Sequence, residues 1–216
     1  MATLASLTEE VKRIVSDKSF TDDDIMTYLN RGILEIAGGI KRLDSSTLTQ
    51  PLPLLYTIGT VLTTPLATAA LPTDYQRALV FVSDKEGREL SIYDSFVEFV
   101  KTYPLLNAPG FLNAVGIKGK TLYYQNIPAV PEAVTIHYHR YPVDMVSGND
   151  EPDGIPLELQ SSLLVNYACM EIYTLKEEGI DGSMFNTQKY EKRFWDAMGA
   201  LEASIAAEAP PFSFFS

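Results

Sequence analysis

The sequence holds one cysteine, Cys169, so no disulfide can close within the chain and a reducing compartment suits it. Basic residues are also scarce, with 17 Lys and Arg against 28 Asp and Glu, a net charge of −11. Gripping nucleic acid by its phosphates needs a basic surface, so this balance argues against that class. It leaves room for DNA sliding past an acidic wall. A spanning apolar run is missing too. Ser45–Thr73 carries no charge, but Pro51, Pro53, Pro65, Pro72 and its threonines break it into extended segments and loops. At the N-terminus Glu9, Glu10, Lys12 and Arg13 interrupt anything like the apolar core of a secretory signal. No transmembrane helix, repeat or low-complexity segment is expected. With 46% hydrophobic residues, what remains is a soluble globular chain of one domain.

Apolar periodicity predicts helices at both ends of the chain. Residues 4–17 place Leu4, Leu7, Val11 and Ile14 or Val15 on one side. Thr21 is a good N-cap for a second helix, with Asp22, Asp23 and Asp24 against the positive end of its macrodipole. Ile25, Leu29, Ile33, Ile36 and Ile40 form its stripe. The middle, about residues 45–141, reads as β-rich. A strand over Ala78–Ser83 turns through Asp84–Gly87 and returns over Arg88–Ser91. A short helix spans Ser95–Thr102, and Val115–Lys118 with Thr121–Gln125 forms a hairpin about Gly119. Val134–Tyr141 is the clearest strand, with Val134, Ile136 and Tyr138 on one face and Thr135, His137 and His139 on the other.

Beyond the polar break Asp150–Gly154, Pro156 opens a long helix running to Glu178. Leu163, Leu164, Val165, Tyr167, Ala168, Met170, Ile172 and Leu175 leave it apolar on nearly every side. Such a helix is covered all round, by its own domain or by a neighbouring subunit. The last helix, Ser183–Ala209, turns Tyr190, Phe194, Ala197, Leu201 and Ile205 inward. The expected fold class is therefore α+β, mainly an α-helical bundle (about 4–41 and 156–209) with a small β-rich insertion. One domain spans 1–209, followed by an extended C-terminal tail, 210–216.

Candidate chemistry is thin. Gly116–Thr121 ends like a phosphate-binding loop, but Ala114 stands where the first glycine belongs and Leu122–Gln125 reads as strand. Without a helix N-terminus there is no phosphate cradle, so a hairpin turn is the better reading. His137 and His139 have a spacing that two metal ligands could use. No cysteine pair or third histidine accompanies them, and a zinc site needs three or four ligands. Cys169 reads as a buried small hydrophobe and Trp195 as core or interface. Nothing assembles a nucleophile, a base and an oxyanion site. No enzyme, metal or cofactor is expected.

The tail is more telling. Pro210 and Pro211 stop the last helix, and Phe212-Ser213-Phe214-Phe215-Ser216 follows without a charge. Burying a Phe side chain is worth about 1.5–3 kcal/mol. The tail therefore straps back onto its own core or plugs a partner's groove.

The order of elements is the most distinctive feature. The Asp-rich start leads into Ile25–Ala37. Leu71-Pro72-Thr73-Asp74-Tyr75 precedes a strand and a turn through Gly87-Arg88-Glu89-Leu90. Tyr103-Pro104 and Pro109-Gly110-Phe111 precede the hairpin, and His137–Pro142 precedes Ile155-Pro156-Leu157-Glu158-Leu159 and its long helix. Across Thr21–Glu202 this succession resembles the adaptor, or head-completion, proteins of tailed bacteriophages. The resemblance implies a homo-oligomeric ring, typically of twelve copies, beneath the portal protein at the head–tail junction of a virion assembled in the host cytoplasm. Leu163, Leu164, Tyr167, Met170 and Ile172 would face neighbouring subunits. Pro210, Pro211, Phe212, Phe214 and Phe215 would dock into the portal, and the β region would meet a downstream tail or neck protein. Double-stranded DNA would pass an acidic channel without specific binding. Other readings are a neck or tail-tube component, a small metal-dependent enzyme using His137 and His139, and a partner-binding module with an apolar tail.

Overall fold

A computed structural model describes residues 2–39, 51–177 and 184–208. Five α-helices occur among the described residues: α1 (Leu4–Val15), α2 (Asp22–Gly38), α3 (Phe96–Thr102), α4 (Gln160–Glu177) and α5 (Phe185–Glu208). The strands are β1 (Tyr56–Leu62), β2 (Thr68–Ala70), β3 (Tyr75–Ser83), β4 (Ser91–Tyr93), β5 (Ala114–Lys118), β6 (Thr121–Tyr124) and β7 (Ala133–Arg140). The chain divides into two compact units. One is helical and draws on the chain up to Leu55 and from Pro142 onward; the other is Tyr56–Tyr141.

In the helical unit each early helix starts where its side chains satisfy the first amides. Thr3 and Ser6 form a capping box for α1, and Thr21 and Asp24 form one for α2. At the second, Asp24 accepts the Thr21 amide at 2.9 Å while Thr21 Oγ1 accepts the Asp24 amide at 3.2 Å. The apolar stripes of α1, α2 and α5 all close on α4, where Leu163, Leu164, Val165, Tyr167, Ala168, Cys169, Met170 and Ile172 are buried. Gly32 of α2 lets the Tyr167 ring come close, since an added Cβ would lie 2.8 Å from Tyr167 Cδ1. The long helix begins later than its sequence suggests. Pro156, at ψ 137°, caps a 3₁₀ turn over Leu157–Leu159, and α4 proper starts at Gln160.

In the β unit, β1 and β3 flank β7 in an antiparallel three-stranded sheet, and a second sheet runs β2-β6-β5-β4 with β4 parallel to β5. Val134, Ile136 and Tyr138 of β7 point inward, as period-two alternation requires, and join Val61, Val82, Leu122 and Tyr124 in one core. The buried Tyr124 hydroxyl donates to the Thr64 carbonyl at 2.6 Å and accepts the Thr64 amide at 2.5 Å, tying the β1–β2 loop to β6. Gly116 of β5 admits the Phe99 ring of α3, 2.9 Å from where a Cβ would stand.

The expectation of a mainly helical bundle with a small β-rich insertion is corrected here. The fold is α+β with 44% helix and 22% strand, and its two sheets share a core of their own. The uncharged stretch is one cause, because its described part supplies β1 and β2. The return over Arg88–Ser91 is another. Asp84 accepts the amides of Glu86 and Arg88, each at 2.9 Å, which tightens the turn. Glu89 then makes only a single bridge to Ser83, and β4 joins the other sheet.

Two substitutions test this packing. Gly32→Ala gains about 1 kcal/mol of helix propensity, but overpacking against the immobile Tyr167 costs about 1–3 kcal/mol. A net loss of stability in chemical denaturation is expected. Tyr124→Phe leaves the Thr64 groups unpaired and is expected to cost about 1–3 kcal/mol, with faster amide exchange in β2 and β6.

Candidate functional site

The candidate site is a set of surfaces. The five residues expected to face neighbouring subunits, Leu163, Leu164, Tyr167, Met170 and Ile172, have no exposed area in the single chain. Their cover comes from α1, α2 and α5 of the same unit. Burial, with the Glu35 carboxylate nearby, pushes the Tyr167 phenol well above its ordinary range. Burial likewise pushes the Cys169 thiol up to about 12, which leaves it unreactive.

What the helical unit presents outward was less legible in the sequence. Leu34, Leu157, Leu175, Met184 and Phe185 are exposed, Phe185 at 68%. Leu175 belongs to the apolar set of α4 yet faces solvent, whereas Phe185 sits at the first turn of α5, before its stripe begins. Trp195 is half-buried and meets Phe194 edge to face at 5.2 Å. Arg31 of α2 bridges Glu35 at 2.9 Å and Glu171 of α4 at 3.5 Å.

The start of α5 is held by a carboxylate from the end of α4. Glu177 accepts the amides of Asn186 at 3.1 Å and Thr187 at 3.0 Å, with Thr187 Oγ1 and Asn186 Nδ2 adding two more bonds. Desolvation opposes ionisation, but those bonds outweigh it and hold the Glu177 carboxyl below the usual range. Asp17 accepts from the Ser19 amide and pairs with Lys176 at 3.0 Å, and its carboxyl falls to about 2.

In the β unit, His137 and His139 share the face opposite Val134, Ile136 and Tyr138. His137 Nδ1 meets the Tyr56 hydroxyl, and Phe81 lies edge-on to its ring. His139 stands opposite Tyr56 and Arg77, and burial with the Arg77 charge lowers its pKa. Among the described residues no group of three or more His, Cys, Asp or Glu converges as a metal site would require. The phosphate-loop-like Gly116–Thr121 is the β5–β6 hairpin, with Lys118 opposite Thr121 and Gly119 at φ +61°. Thr63, Thr64, Pro65, Asn107, Pro109 and Ile127 line an uncharged cleft between loops.

The tail residues Pro210, Pro211, Phe212, Phe214 and Phe215 lie outside the described residues, as do Ile40 and Glu178 of the expected helices. Among the described residues no helix is long and apolar enough to cross a membrane.

Comparison with known families supplies the class of protein. The SU10 adaptor protein family matches residues 2–211. The chain belongs to that family, in accord with the resemblance to phage head–tail adaptors. It is a structural phage adaptor, a virion component that binds other phage head or tail proteins. No curated protein matches the chain.

The depressed carboxylates set a pH dependence. Asp17 ionises more readily folded than unfolded, so its stabilisation is complete above the ordinary 3.8 and is lost as pH falls through about 2. Glu177 acts with the same sign. Thermal melts of wild type and Asp17→Asn should therefore differ at about pH 7 and converge towards about pH 2. A gap that stays constant over that range would contradict the assignment.

Proposed function

We propose that the chain forms a ring between the portal protein and the tail, through which double-stranded DNA passes during packaging and ejection. The observation that carries this reading is the family match over residues 2–211, which spans both compact units. The mechanism is assembly rather than catalysis. Twelve copies meet by head-to-tail contacts, which close when the rotation per subunit fits. The exposed Leu34, Leu157, Leu175 and Phe185 of the helical unit supply apolar contact area for those neighbours. Leu163, Leu164, Tyr167, Met170 and Ile172 act indirectly, by fixing the helices that carry that area.

The net charge of −11 suits a conduit, since an acidic lining repels DNA and prevents sticking. The tail residues Pro210, Pro211, Phe212, Phe214 and Phe215 dock into the portal as apolar anchors. The β unit meets the next tail or neck protein, and both units act together as one adaptor.

Deleting residues 210–216 should leave thermal stability unchanged and weaken binding to purified portal by at least about tenfold, the loss of roughly one anchor. Unchanged portal binding by the truncated chain would refute the docking role of the tail.

A further inference from the structure

The four sheet edges of the β unit are not alike. In the four-stranded sheet, the edge strands β2 and β4 have 3 residues each, too short to hold a partner strand. In the other sheet, edge strand β3 has three register shifts against β7, and Ala78 within it stands at φ +56°. Bulges of this kind break the even row of backbone groups that a partner strand would read. β1 has none of these devices. Its 7 residues run in unbroken register with β7, from Tyr56 opposite His139 to Leu62 opposite Ala133, and contain no proline and no charge. Among the described residues β7 is the one strand that pairs with it. Its other side is a row of N–H and C=O groups of the kind that an extended strand satisfies.

The occupant follows from charge and symmetry. Copies of a chain with net charge −11 repel one another, whereas residues 51–73 carry no charge and allow close approach. β1 is also compatible with itself. Set antiparallel about Gly59, Tyr56 meets Leu62 of the second copy, Ile58 meets Thr60, and Thr57 meets Val61. Each of these pairs lies on one face: Tyr56, Ile58 (59% exposed), Thr60 and Leu62 (65% exposed) outward, Thr57 and Val61 inward. A slip by one residue would set exposed side chains against buried ones.

We propose that β1 pairs antiparallel with β1 of a second copy, centred on Gly59, so that two three-stranded sheets become one of six strands. This contact is isologous. It closes on two copies and cannot propagate around a ring built by head-to-tail contacts. It is therefore the state of the unassembled chain, in which an edge that would otherwise invite aggregation is covered. Its assignment to the unassembled chain rests on the proposed ring; the β1 pairing itself does not.

The test uses the full chain. Cys169 is buried, so a cysteine introduced at position 58 or 60 is the exposed thiol among the described residues. Ile58→Cys and Thr60→Cys chains are mixed and oxidised, and the disulfides are counted by mass spectrometry. Sedimentation should show a wild-type dimer at micromolar concentration. The mixed 58–60 disulfide should exceed either like-with-like product by about tenfold, because only that pair faces across the proposed register. Ile58→Lys and Thr60→Lys should each return the chain to monomer while β7 amides keep their exchange protection. A wild-type monomer, like-with-like disulfides as abundant as the mixed one, or a dimer untouched by both lysines would each overturn the proposal.

Discussion

Burial of α4 is the constraint on which the helical unit depends. A helix apolar on nearly every side cannot stand alone, so helices from both ends of the chain must close around it. Leu7 and Val11 of α1, Leu29 and Ile33 of α2, and Phe194 and Leu201 of α5 are all almost fully removed from solvent in the same core. Three polar contacts then fix the register. Glu177 caps α5 from the end of α4, Lys176 reaches Asp17 beyond α1, and Arg31 of α2 pairs with Glu171 of α4. Apolar burial supplies the driving force, and these contacts select one arrangement of the four helices.

The same core anchors the points where the chain leaves for the β unit and returns. Leu52 and Leu55 are buried there on the outgoing side, Met145 and Ile155 on the returning side. Asn30 of α2 holds the return, accepting the Met145 amide and donating to its carbonyl, each at 2.9 Å. The β unit completes its own core, with Tyr124, Phe99 and Ile136 fully buried. Each unit thus completes a core of its own, while Phe185 of one and Ile58 of the other stay exposed. That division suits an adaptor, whose task is contact.

Legibility in the sequence followed local physics. Thr21 with Asp24, the stripe Ile25–Leu29–Ile33–Ile36 and the alternation of β7 depend on neighbours within a few residues, and all were readable. The share of strand was not. β1 lies in an uncharged, threonine-rich stretch with no clean alternation, and its strand character comes from pairing with β7, far away in sequence. β4 has 3 residues and exists through parallel pairing with β5. The apolar character of α4 showed that it must be covered, but sequence alone could not say by which chain. The resemblance to phage adaptors rested on the order of elements, which survives where each motif is weak.

The central claim is that this member of the SU10 adaptor protein family closes a ring on the portal. The most direct measurement is the mass of the purified chain mixed with the portal of its source phage, by native mass spectrometry. The account predicts a discrete complex in which twelve copies of the chain sit on one portal ring. A mixture in which the portal keeps its own mass and the chain stays unattached would contradict it.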